Sequence, residues 1–385
     1  MAIRQYARIW RLPGAPLLVV AGLVARLSIA MTPLALLLLV RQLTGEYTPA
    51  ALTCAAYALA AAVAGPAAGR LSDRYGPTPV LLVTGLAHPA ALSILLLATR
   101  GPHPLGPVLA AAVLAGGTYP PLTAAVRGAW NHATEPDTGR HELRATALAA
   151  ETALFELVFV TGPLLVALFL ALASPSAAIV ASAAVTLTGT LTVARSRIMR
   201  SFRPHPARVH TRGLGPLRVP GFPALLTCAG GLGFTFGAGG VTVPAYATGH
   251  GTRGLAGLLL AIWAVGSTAG SFWYGGRHPR QPLSRQLVLL FGAVGMTLCV
   301  LAVAPGLVAF GVALAACGVT IGPALTVVNA LVARLTPMAM MNEAYTWVIT
   351  TSVAANAVGA AVAGVVVDRA GTGWALATAG LVVAG

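Results

Sequence analysis

The 385-residue chain contains no lysine: all 24 basic residues are arginine, set against nine acidic residues, for a formal net charge of +15. Without lysine there is no Walker A motif, so the chain is not itself an ATP-driven pump. Charge of either sign is scarce, 9% of residues, whereas a soluble domain carries about 25%. CxxC, HExxH and G-x-S-x-G are all missing, which removes thiol-redox, zinc-protease and nucleophile-elbow chemistry. Cys54, Cys228, Cys299 and Cys317 each lie inside an apolar run and read as small hydrophobes. The eight histidines are scattered, with His88 alone inside an apolar segment. No metal site, cofactor or enzyme activity is expected.

In place of charge the chain has apolar bulk: 57% hydrophobic residues and a mean hydropathy of +0.82. A bilayer core about 30 Å thick needs about 20 apolar residues per helix at 1.5 Å rise. That ruler predicts helices over 15–40, 50–69, 79–99, 106–127, 146–172, 176–195, 222–246, 254–275, 285–304, 306–333, 343–367 and 372–385. The last is too short to cross, so the expectation is twelve spans with the twelfth incomplete and the chain continuing beyond Gly385. Arg4, Arg8 and Arg11 precede the first apolar run, which continues to Val40 without a clear cleavage site and reads as an anchored helix rather than a signal peptide.

Alternation of the spans sends 19 of the 24 arginines to the side that holds the N-terminus, leaving Arg41, Arg100, Arg253 and Arg369 on the other and Arg26 within a helix. The positive-inside rule then places the N-terminus in the cytoplasm. Arginine in place of lysine, with abundant Ala, Gly and Pro, points to a GC-rich genome and so to a bacterial plasma membrane. A pI near 11 raises nucleic acid as a partner, but the arginines sit in short loops, where membrane topology accounts for them. The partner expected is the lipid bilayer, with no nucleic acid, and the protein is expected to be a monomer.

The longest loop, residues 196–221, carries most of its charge as arginine beside several prolines and divides the chain into 1–195 and 222–385. It suits a linker lying along an anionic membrane face. The two parts echo each other. Gly65 and Gly69 of "GPAAGRLSDRYG" match Gly266 and Gly270 of "GSTAGSFWYGGR" at an offset of 201, and Gly117 matches Gly318 at the same offset. "ETALF" at Glu151 and "EAYTW" at Glu343 each put an aromatic four residues after a glutamate. Matches in one order support a duplicated six-helix unit.

"GRLSDRYGPTP" resembles the loop between helices two and three of the major facilitator superfamily, G-x-L-(A/S)-D-R-x-G-(R/K)-(R/K). It matches at Gly69, Leu71, Ser72, Asp73, Arg74 and Gly76 and departs at Pro77 and Thr78, where the family has basic residues. "VTGPLL", with Gly162 and Pro163, is similar to the Gly-Pro motif of the antiporter branch, without its later glycines. "NEAYTW" and "IWAVGSTAGSFWYGGR" resemble helices eleven and eight of drug-efflux members of actinobacterial type. The resemblance implies an all-α membrane protein of two pseudo-symmetric six-helix bundles. Helices one, four, seven and ten would line a central cavity, and helices two, five, eight and eleven would slide at the interface. It further implies a cytoplasmic gate: Gly69 packing helix two closely, Gly76 turning the loop, and Asp73 beside Arg74 meeting the start of helix eleven at Asn342 and Glu343.

Charge inside the membrane is the chemistry to look for in such a protein. Arg26 lies about eleven residues into helix one and Glu156 about ten into helix five, so both count to a depth of roughly 15 Å. An Arg26–Glu156 ion pair is predicted, either opening to carry a proton or serving as a permanent clasp. Glu151, turned about 140° from Glu156, reads as facing helix eight across the interface or as a helix-end residue reached by water. Glu343, with Asn342 before it, suits a capped helix start. Cavity candidates are Met31, Tyr119, Phe234 and Phe236, with Trp263 and Asn356 from flanking helices; packing is the alternative role for each. Six glycines between Gly230 and Gly240 in helix seven suggest a bend beside the cavity. The function expected is export of a small amphipathic or drug-like compound by proton antiport. The alternative is an uptake or facilitative carrier of a polar or anionic solute, and a receptor or enzyme on the same fold is the remaining reading.

Overall fold

The computed structural model describes residues 10, 14–101, 105–134, 144–201, 216–251, 253–275, 281–336 and 341–385. Within these, only the backbone is described for Arg70, Asp73, Arg74, residues 152–156, and Asn342 with Glu343, among others.

The described residues are almost entirely helical. The helices are α1 Ala15–Thr44, α2 Tyr47–Tyr75, α3 Pro77–Ala98, α4 Leu105–Gly117, α5 Leu122–Ala133, α6 Arg144–Leu172, α7 Pro175–Arg195, α8 Arg197–Ser201, α9 Phe222–Gly249, α10 Ala256–Gly275, α11 Leu283–Ala302, α12 Leu307–Leu335, α13 Met341–Ala370 and α14 Thr372–Ala384. Ten segments are long and apolar enough to cross a bilayer; Leu157–Leu172 and Thr372–Ala384 are shorter apolar helices. The predicted spans therefore stand as helices in order. One differs: the fourth, expected as a single rod over 106–127, stops at Gly117 and restarts at Leu122. Pro120 and Pro121 have no N–H to continue the ladder, so the break falls on Thr118 and Tyr119.

Composition explains why these stretches are helices and where they end. In hydrocarbon each backbone group must be paired within its own segment, and the hydroxyls follow suit. Thr84 donates to the Val80 carbonyl (2.6 Å), Thr242 to Ala238 (2.6 Å) and Thr326 to Gly322 (3.0 Å). Prolines open α1, α3, α7 and α9 within their first two positions, where the missing donor costs nothing. The α2–α3 turn is made at Gly76, with φ 87° and ψ 157°, a region that side chains disfavour.

Packing divides the helices at the linker. Before it, α1 lies against α7, α6 and α2, and α4 bridges α2 and α3; after it, α9 lies along α13 and α10 along α12. Among the described residues the two sets meet chiefly through α2 with α13 and α6 with α10. Both meetings lie toward one face, the one opposite the arginine-rich loops. There a Cβ on Gly257 of α10 would fall 2.0 Å from the Pro163 carbonyl oxygen of α6, and one on Gly364 of α13 would fall 2.7 Å from the Ala51 Cβ of α2. Toward the arginine-rich face the first set has its own apolar cluster, including Leu18, Leu81, Leu122, Trp130 and Met199. The cluster that joins both sets runs from Leu37 and Tyr47 to Val243 and Phe310 on the other side, and within the second set it reaches back to Phe222, Val332 and Ala344 toward the arginine-rich face.

Candidate functional site

Arg26 is buried in α1, 2% exposed, and its Nε donates to the Gly22 carbonyl one turn earlier (2.8 Å). Helical side chains lean toward the helix start, so the guanidinium sits at the level of Gly22 rather than of its own Cα. There it meets Glu151 of α6, also 2% exposed, with Nη1 donating to Oε1 and Nη2 to Oε2 (3.1 Å). The two parallel bonds form the fork geometry that arginine and carboxylate favour. The depth count put Glu156 against Arg26; the structure puts Glu151 there, five residues earlier, while the side chain of Glu156 lies outside the described residues. Glu151 is accordingly neither at a water-reached helix end nor turned toward α10.

A polar seam runs on from this pair along α1. Ser28 Oγ lies 3.4 Å from the Tyr119 hydroxyl, and Thr32 Oγ1 lies 2.6 Å from Ser182 Oγ of α7. Tyr119 owes this position to the break between α4 and α5, which carries its ring edge-on to His88 at 5.1 Å. His88 Nδ1 donates to the Ala115 carbonyl (2.8 Å). Its Nε2 is left as an acceptor with no partner among the described residues. Tyr57 of α2 completes the group, 6.3 Å from the His88 ring. Ser28, Thr32, Tyr57 and Ser182 were not among the sequence candidates, because an isolated hydroxyl in an apolar run carries no signal of where it points. His88 was noticed only as a lone histidine.

In the second set, Phe236 of α9 stacks on Trp263 of α10, ring centroids 5.4 Å apart and 26° from parallel. A Cβ on Gly239 would lie 2.3 Å from the indole, so the glycine lets that ring lie flat on α9. Trp263 is 6% exposed, and Met31 is fully buried among apolar neighbours. Both are buried side chains here, Trp263 against Phe236. Phe234 and Asn356 are half-buried, and their backbone carbonyls touch the glycines of the facing helix: a Cβ at Gly359 would lie 2.2 Å from Phe234 O, and one at Gly237 would lie 1.9 Å from Asn356 O. Within the glycine run of α9, Gly233 and Gly237 thus serve close packing of α9 on α13.

The Gly-Pro pair of α6 is divided in its work. A Cβ at Gly162 would lie 2.6 Å from Ala30 Cβ of α1, and the carbonyl of Pro163 receives Gly257 from α10. Of the expected gate, Gly69 does not pack closely: a Cβ there, as at Gly65, would meet nothing within 4 Å. The side chains of Asp73, Arg74, Asn342 and Glu343 lie outside the described residues. One pocket of about 310 Å³, lined by Thr44, Glu46, Thr48, Leu105 and others, opens at the opposite face, away from the Arg26–Glu151 pair.

Two sets of membrane-length helices, touching chiefly along two pairs and holding a buried ion pair within one set, define a helical membrane protein of two bundles. The profile of the Major Facilitator Superfamily matches residues 18–346, and the chain belongs to that family. No protein of curated function matches the sequence. Among solved structures, a mutant of the nucleoside transporter NupG superposes with a TM-score of 0.74 at 13% identity, covering 96% of this chain and 98% of that one. A mutant of the peptide transporter POT gives 0.71 at 15% identity, covering 96% and 93%. A bacterial homologue of the iron transporter ferroportin, in its inward-facing state, gives 0.67 at 15% identity, covering 96% and 97%. At these identities the likeness is one of fold.

Proposed function

We propose that the protein is a secondary active transporter of the bacterial plasma membrane, exporting a small amphipathic or drug-like compound in exchange for protons. Residues 1–195 and 222–385 act as two bundles joined by the 196–221 linker, with the N-terminus in the cytoplasm and no cofactor beyond the proton gradient. The observation that carries this reading is the buried, bidentate Arg26–Glu151 pair. A buried pair is a costly way to gain stability, and a charge inside a membrane bundle marks a pathway more often than a scaffold. When substrate or the moving bundles part Arg26 from Glu151, the carboxylate takes a proton, to be released when the pair reforms. Tyr119, Phe236 and Asn356 are the side chains assigned to the cargo in this reading.

Parting Arg26 from Glu151 also offers an anion a charge partner, and this favours one second reading, a carrier of polar or anionic solutes running on the solute's own gradient. Purified protein in liposomes separates the two. With a panel of radiolabelled amphipathic antibiotics and dyes, antiport requires movement that appears only with an imposed proton gradient and is abolished in Glu151→Gln. Full coupled transport by that variant removes the mechanism, and gradient-independent uptake of anions establishes the alternative.

A further inference from the structure

α2 begins Tyr47-Thr48-Pro49-Ala50, and its own preceding residue, Glu46, makes no side-chain cap. Pro49 has no N–H, so the open donors of the first three positions are those of Tyr47 and Thr48. Both are taken by a residue of the other bundle. Tyr47 N donates to Asp368 Oδ1 (2.9 Å) and Thr48 N to Oδ2 (2.6 Å), and the Thr48 hydroxyl adds a third bond to Oδ2 (2.6 Å). Asp368 stands near the end of α13, one turn beyond Gly364, whose missing side chain lets the two helices approach. Arg41, at the end of α1, lies over the Tyr47 ring with Cζ 4.9 Å from its centroid.

We propose that Asp368 is a latch of the transport cycle, an acid of the C-terminal bundle that closes the opposite face by capping the first turn of α2. This rests on the alternating-access reading above. The contact exists only while that face is shut. When the bundles part there, carboxylate and helix start each return to water, and the charge-assisted bonds and the attraction to the helix dipole are lost. Asp368 is exposed, so solvent screens the contact and it biases the balance of states rather than locking it. An N-cap of this kind shifts an equilibrium by about fivefold.

The test is pulsed EPR on the full chain in nanodiscs, with Cys54, Cys228, Cys299 and Cys317 replaced and spin labels at Ala173 and Trp374, both exposed at the opposite face on different bundles. Asp368→Ala should raise the ratio of long to short inter-label distances about fivefold, and Thr48→Val, which removes one bond of the three, about twofold. Unchanged distributions in both variants overturn the latch. Should Asp368→Ala not fold, Thr48→Val decides alone. The distances are read without any solute, so a shift in the variants together with no proton-driven transport would remove the antiport reading and leave the latch standing.

Discussion

Arg26 was legible in the sequence as a charge deep in an apolar run; its partner was not. Counting residues measures depth along an axis at the Cα, whereas the Arg26 side chain runs back a full turn to bond Gly22 O. That displacement, about 5 Å, brings the guanidinium to the level of Glu151. The pair makes a prediction at this scale. Glu151→Gln removes the bidentate carboxylate from a buried arginine and should destabilise the protein by about 3–5 kcal/mol, visible as a lower unfolding temperature in detergent. Arg26→Met combined with Glu151→Leu should recover most of that loss, since an apolar pair replaces the ions, yet remain inactive in proton-driven transport. Recovery of coupled transport in the double variant would make the pair a clasp only.

Glycines separate two kinds of helix contact among the elements. Gly237 and Gly359 set α9 against α13 within one bundle, whereas Gly257 sets α10 against α6 across the interface. A Cβ at Gly237 would press on the Asn356 carbonyl at 1.9 Å, and Gly237→Ala should cost about 2 kcal/mol in stability, read by thermal unfolding. Gly257→Ala meets the Pro163 carbonyl at 2.0 Å, but here the bundles need only separate. That variant should unfold at nearly the parent temperature and shift the Ala173–Trp374 distances outward; a large loss of stability instead would mean that the interface does not move. The internal repeat shows how much such roles escape the sequence. Gly266 and Gly270 pack on the backbone of α12, while their counterparts Gly65 and Gly69 face open space, because the same motif lies on a surface covered in one bundle and uncovered in the other.

For the whole molecule, contacts between the bundles gather at the face opposite the arginine-rich loops, and the α2 glycines near the loop face are uncovered. α2 and α13 run antiparallel, so the end of α2 bearing Asp73 and the end of α13 bearing Asp368 lie on opposite faces. If Asp73 caps α13 when the loop face closes, Asp73→Asn should shift the label distances inward, opposite in sign to Asp368→Ala. A shift of the same sign in both would sink the paired-gate scheme.

The sequence by itself determined the class of protein, the order of the helices and the side that gathers arginine. Each of these follows from local quantities: run length against bilayer thickness, proline and glycine at helix ends, and charge counted loop by loop. Only the tertiary structure decided that Arg26 meets Glu151, that Tyr119 turns toward His88 at a double-proline break, that Gly233 and Gly237 of α9 pack on α13, and that Asp368 caps a helix more than 300 residues away in sequence. These depend on which face of each helix is turned to which neighbour. In a helix apolar on every side no hydrophobic stripe announces that choice, and it is fixed by the close approach of backbones at small residues.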